Sequence, residues 1–149
     1  MTIYLVVYLI LFAAPFGTLI HEIGHVLGAK LVSADKITLT MGAGSTIFRF
    51  VWNKTDISIR VLFFLGGMAG SERRMPYQST EQIIIAALGP VSSIIASGLC
   101  YGLYNVYPNS YLLILLLFNL WIAVLNIVPF RIKDKKSDGF VICQAIRKR

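Results

Sequence analysis

The sequence predicts a mainly α-helical membrane protein, with three transmembrane helices and a small β-sheet of about three strands between the first two. Three observations lead there. Residues 3–20, 83–104 and 111–130 are apolar stretches without a single Asp, Glu, Lys or Arg. Of the 149 residues, 56% are hydrophobic and only 14% charged, with a mean hydropathy of +0.72, whereas a soluble domain carries about a quarter charged residues. All 14 Lys and Arg fall within residues 30–74 or 131–149.

The first span is long enough to begin a crossing helix that continues through His21 and His25 to about residue 30. It has no basic n-region and no small-residue cleavage site, so it does not read as a removable signal peptide. Residues 36–65 read as β structure. Ile37, Leu39 and Met41 alternate with polar residues, as do Ile57, Ile59 and Val61, and residues 45–52 are rich in aromatic and β-branched side chains. Gly42-Ala43-Gly44 and Asn53-Lys54-Thr55-Asp56 suit turns. Gly66-Gly67-Met68-Ala69-Gly70 reads as a flexible junction before the second span. Between the second and third spans, residues 105–110 include Pro108 and suit a tight helical hairpin. The length allows one domain, residues 1–149.

The basic residues flank apolar spans and form no stripe with interleaved stacking aromatics, so the net charge of +7 is not a nucleic-acid signature. By the positive-inside rule, the amino terminus and the 105–110 loop lie outside, and both basic regions lie in the cytosol. This is the pattern expected of an integral protein of a bacterial plasma membrane. Arg73-Arg74 and Arg147-Lys148-Arg149 read as topology anchors near anionic lipid. Cys100 and Cys143 sit in unlike settings and suggest no disulfide framework.

The chain has only two histidines, both in His21-Glu22-Ile23-Gly24-His25. Residues four apart share a helix face, so the two imidazoles can hold one metal ion while Glu22 takes a proton from water beside it. The motif lies roughly 27–33 Å along the first helix, near the inner edge of the hydrocarbon, where ionisable residues are costly and therefore functional. Catalytic zinc usually takes three protein ligands, so the third must be a carboxylate or Cys. Asp35, Asp56, Glu72, Glu81, Asp134 and Asp138 are the carboxylates outside the motif. Those after the third span lie on the motif's side of the membrane. Asp134, wedged between Lys133 and Lys135, reads as a solvated charge. Asp138-Gly139 opens an apolar stretch that suits a short helix dipping back, and Asp-Gly is equally an ordinary turn or cap.

His21-Glu22-x-x-His25, followed by Asn126-Ile127-Val128-Pro129 and Asp138-Gly139, with Gly89-Pro90 in the middle span, resembles the site-2 protease family of intramembrane zinc metalloproteases. The resemblance covers nearly the whole chain. It implies one zinc ion held by His21, His25 and Asp138, Glu22 as general base, and Asn126 in contact with the substrate backbone. Residues 130–137 are longer and more basic than the compact proline-containing link usual in the family.

On these residues the expected activity is zinc-dependent endopeptidase cleavage in or near transmembrane segments of membrane proteins or signal-peptide remnants. Three spans offer little shielding, so self-association or an accessory membrane partner is also in view. The rival is a non-catalytic metal-binding membrane protein, a transporter or a substrate holder. The absence of Asp, Glu, Lys and Arg from spans two and three opposes an ion path, and a holder leaves Glu22 unexplained. A soluble metalloprotease is excluded by composition. Gly89, Ser93 and Ser97 recur every four residues and read as a packing stripe without chemistry, and Asn119 as a cross-helix hydrogen bond.

Overall fold

The structure, a computed structural model, describes residues 2–133 and 135–148; Asp134 and Arg149 lie outside the described residues. Helix α1 (Ile3–Leu31) contains a π-helical turn at Leu9–Ala13. Pro15 has no N–H to offer the Leu11 carbonyl, and a widened preceding turn accommodates the lost bond. Strands β1 (Lys36–Trp52) and β2 (Thr55–Glu72) follow, then helices α2 (Ser79–Val106) and α3 (Ser110–Ile127). A two-residue hairpin, β3 (Arg131–Ile132) and β4 (Lys135–Lys136), leads into the short helix α4 (Asp138–Arg147).

Helices α1, α2 and α3 are each long and apolar enough to cross a membrane. Their outward faces carry large apolar side chains: Leu99 is 67% and Trp121 56% exposed. Such a continuous apolar exterior suits lipid and would be a liability in water. The inward faces use small residues. Gly24 of α1 lies so close to α2 that a Cβ there would overlap the Leu88 carbonyl, the close approach that stands in for the hydrophobic effect between helices in lipid.

The small sheet expected between the first two spans is present, with two strands where about three were expected. It is two long antiparallel strands, each folded on itself. Residues 37–41 of β1 pair twice, from Ile37–Thr55 to Met41–Ile59 on one side and from Ile37–Ser71 to Met41–Gly67 on the other. The bends fall at Gly42 (φ 85°) and Gly66 (φ 82°), a backbone region that strains residues with a Cβ. Residues 67–72 thereby become an outer strand. The expected flexible junction at residues 66–70 is thus ordered sheet. Its Gly-Gly-Met-Ala-Gly run shows no apolar alternation because an edge strand is held by backbone pairing on one side. On the sheet's inner face, Ile37 and Leu39 pack against Val26 and Ala29 of α1, which fixes the sheet beside the motif.

Three further expectations are corrected. The third span ends at Ile127 rather than at residue 130, because Pro129 forces Val128 into extended backbone. Helix α2 reaches beyond residues 83–104 at both ends; its start is set by a polar contact, Gln78 N–H donating to Glu81 Oε2 at 2.7 Å, which hydropathy does not register. Among the described residues Asn119 makes no cross-helix hydrogen bond. Its Nδ2 donates to Leu115 O of its own helix at 2.8 Å, a carbonyl one turn back that is always within reach.

Candidate metal centre

Helix periodicity puts His21 and His25 on the face of α1 that meets α2. Each ring is oriented through Nδ1. His21 Nδ1 lies 3.1 Å from Ser93 Oγ, and His25 Nδ1–H donates to Ile85 O at 2.8 Å. A carbonyl only accepts, so the neutral His25 carries its proton on Nδ1 and leaves Nε2 as a lone-pair donor. Pro90 in the same stretch of α2 cannot donate to the Ala86 carbonyl, a local opening in the ladder beside the rings. The two Nε2 atoms stand 3.2 Å apart.

Asp138 completes the group from α4. Its Oδ2 is 3.2 Å from His21 Nε2 and its Oδ1 3.3 Å from His25 Nε2. One ligand atom from each of the three residues lies within 4.8 Å of the other two, close enough for all three to reach one zinc ion at ~2.0 Å after small adjustments. The Oδ2 atom is buried without a well-formed hydrogen bond, an orphaned acceptor that a cation would satisfy. Burial works to raise the Asp138 pKa, but the two adjacent imidazoles more than offset it and hold the carboxyl below its ordinary range. It is therefore in the ionised form that ligation needs. The donor set fits zinc. Among the described residues, His21, His25 and Asp138 form the one such group of potential ligands.

Two glycines make this geometry possible. A Cβ on Gly89 would stand 3.0 Å from His21 Nε2 and closer still to the His25 ring, so α2 leaves its vacancy where the imidazoles meet. A Cβ on Gly139 would overlap the Ile127 carbonyl, which explains why Asp138 is followed by glycine. Ser137 locks the two motifs together. Its Oγ accepts from Phe130 N–H at 3.0 Å and from Phe140 N–H at 3.2 Å, and donates to Val128 O at 2.7 Å. The end of α3 and the start of α4 are thereby one unit.

Glu22 reaches the sheet, where its Oε2 accepts from Ala69 N–H at 2.7 Å. It lines a cavity of about 470 Å³ with His21, His25, Asn126 and Asp138. Asn126 Nδ2 donates to Ile122 O at 2.9 Å. Sequence reasoning singled out all five of these residues, and the fold brings them around one space. It missed Ser93, Gly89 and Ala69. The first two had a signal, a one-turn spacing equal to that of the histidines, but it reads equally as packing; Ala69 acts through its backbone and had none.

Residues 8–109 match peptidase family M50, a stretch that takes in the His21–His25 motif, the sheet and Gly89-Pro90. The chain belongs to peptidase family M50. This is the site-2 protease family of membrane metallopeptidases, and the M50 chain is accordingly an integral membrane protein of that type. The matched stretch ends before Asn126 and Asp138, whose placement at the site rests on the geometry above. No curated protein matches the chain.

Proposed function

We propose that this M50 protein is a zinc-dependent intramembrane endopeptidase, with His21, His25 and Asp138 as zinc ligands, Glu22 as general base and Asn126 as a substrate contact. The observation that carries this reading is that His21, His25 and Asp138 bring one ligand atom each to within 4.8 Å of one another, with a carboxylate, Glu22, on the same cavity. Zinc held there supplies Lewis acidity, acidifying water and polarising a peptide carbonyl. The Ala69 N–H holds Glu22 Oε2, leaving Oε1 to take a proton from the attacking water and pass it to the departing amine. His25 and His21 keep their geometry through Ile85 O and Ser93 Oγ.

The substrates on this reading are membrane proteins or signal-peptide remnants, cut in or near a spanning segment. Such a helix hides its carbonyls in internal hydrogen bonds and must unwind to be cut. The outer edge of residues 67–71 lies beside Glu22 and offers an unwound segment backbone partners; Asn126 faces it across the cavity. The positive-inside rule supports an outward amino terminus and a catalytic site at the cytosolic side of a bacterial plasma membrane. Shielding of a site with only three spans is left to self-association or a membrane partner.

The test is the purified full chain in vesicles with a membrane-spanning peptide substrate. Glu22→Gln is expected to retain one zinc per chain and lose cleavage, while Asp138→Asn loses zinc. Full cleavage by Glu22→Gln overturns the reading. Substrate binding without cleavage by the unaltered chain supports a non-catalytic holder instead.

A further inference from the structure

A trough runs along the outer edge of β2, and its two ends differ in chemistry. At one end a space of about 400 Å³ lies between Gly66-Gly67 and the aromatic side chains of Phe64, Phe118 and Trp121. The middle contains Glu22 and Asn126. At the other end, about 340 Å³ lies between Gly70-Ser71, Tyr77 and Lys136. Neighbouring spaces share walls: Glu22, Gly67 and Asn126 join the first two, and His25, Ala69 and Lys136 the last two. Lys135 lines the middle and Lys136 both the middle and the Tyr77 end, whereas no charged side chain but Glu22 lines the aromatic end.

The lysines are held there. They form β4 of the small hairpin, which Ser137 ties to the end of α3 through Phe130 and Val128. Four of residues 131–136 are Lys or Arg. Among the described residues neither lysine has a carboxylate partner. Lys136 Nζ donates to Gln144 Oε1 at 3.1 Å and sits 5.7 Å from the centre of the Phe140 ring. Two cations therefore border a space whose other charged groups are Glu22 and Asp138 beside the imidazoles.

We infer that Lys135 and Lys136 set substrate specificity: the trough takes a peptide with apolar residues on one side of the scissile bond and acidic residues on the other. This rests on the proteolytic reading above. A spanning segment that gives way to acidic residues as it leaves the bilayer has that pattern. A carboxylate gains ion pairs with the two ammonium groups, and a basic residue in its place is repelled. Anionic lipid is the competing partner for a basic hairpin, but these two side chains border the same space as Glu22 and Asn126.

The test uses the full chain in neutral phosphatidylcholine vesicles and a set of spanning peptides differing only in Glu, Gln or Lys near the cleavage point, placed on either side of it. Cleavage by the wild type and binding by Glu22→Gln are both measured. The wild type is expected to prefer Glu over Lys about tenfold, on one side only. Lys135→Gln/Lys136→Gln should level the preference and Lys135→Glu/Lys136→Glu should reverse it, with zinc content as the check on folding. Cleavage without charge preference overturns the inference and leaves the proteolytic reading standing. Binding preference without cleavage does the opposite. A charge effect that depends on anionic lipid and not on the peptide also overturns it.

Discussion

Gly89→Ala isolates the contact between α2 and the imidazole pair. The added methyl would lie 3.0 Å from His21 Nε2 and nearer to His25 Cε1 and Nε2, against an ordinary carbon–nitrogen contact of about 3.5 Å. One ring or the helix must move by several tenths of an ångström at least. The His25 ring is pinned by Ile85 O at 2.8 Å, so any shift misdirects Nε2. Outer-shell disturbances of this kind cost about 10–100-fold in metal affinity, and a direct clash belongs at the upper end, about 2.7 kcal/mol. The assay is zinc titration against a competing chelator in detergent, with helicity measured in parallel. Gly98→Ala is the control. It lies on the same helix, its Cβ would have nothing within 4 Å, and it should leave affinity unchanged. A Gly89→Ala protein that folds and binds zinc as tightly as the wild type would refute the placement of Gly89 under the rings.

Two other outcomes follow from the geometry. Ser93→Ala removes the 3.1 Å partner of His21 Nδ1, and zinc affinity should fall about tenfold with the fold intact; no change in chelator competition would deny the serine an orienting role. In the outer part of the sheet, hydrogen bonding to Arg49 holds the Asp56 carboxyl below its ordinary value of 3.8. A lowered folded pKa means the pair's contribution is complete at neutral pH and is lost only as pH falls through that lowered value. Amide protection across residues 46–58, corrected for intrinsic exchange, should therefore be flat from neutral to mildly acidic pH and fall below it. Asp56→Asn should be less protected at neutral pH and converge with the wild type at low pH, and identical profiles would remove the pair from the hairpin's stability.

Much of the site was legible because its carriers are rare residue types in an apolar background. His21, Glu22 and His25 stand in a helix where any ionisable group is costly, Asn126 lies at the end of the third span, and Asp138 follows it. The three helices were legible because twenty apolar residues in a row have few other fates. The sheet was legible only where one face is buried, as at Ile37 and Leu39. It was misread at residues 66–70, whose strand is held by backbone pairing and has no side-chain pattern.

Sequence alone therefore determined which groups are candidates for chemistry and the order in which the spans occur, since both depend on side-chain type and hydrophobic length. The three-dimensional packing decided which of several carboxylates meets the histidines. It also decided that Ser93 and Ile85 orient them, that Ala69 holds Glu22, and that Lys135 and Lys136 border the same space. Those relations are distances between segments remote along the chain. They depend on how closely the helices approach, which Gly24, Gly89 and Gly139 permit by having no side chain at the points of contact.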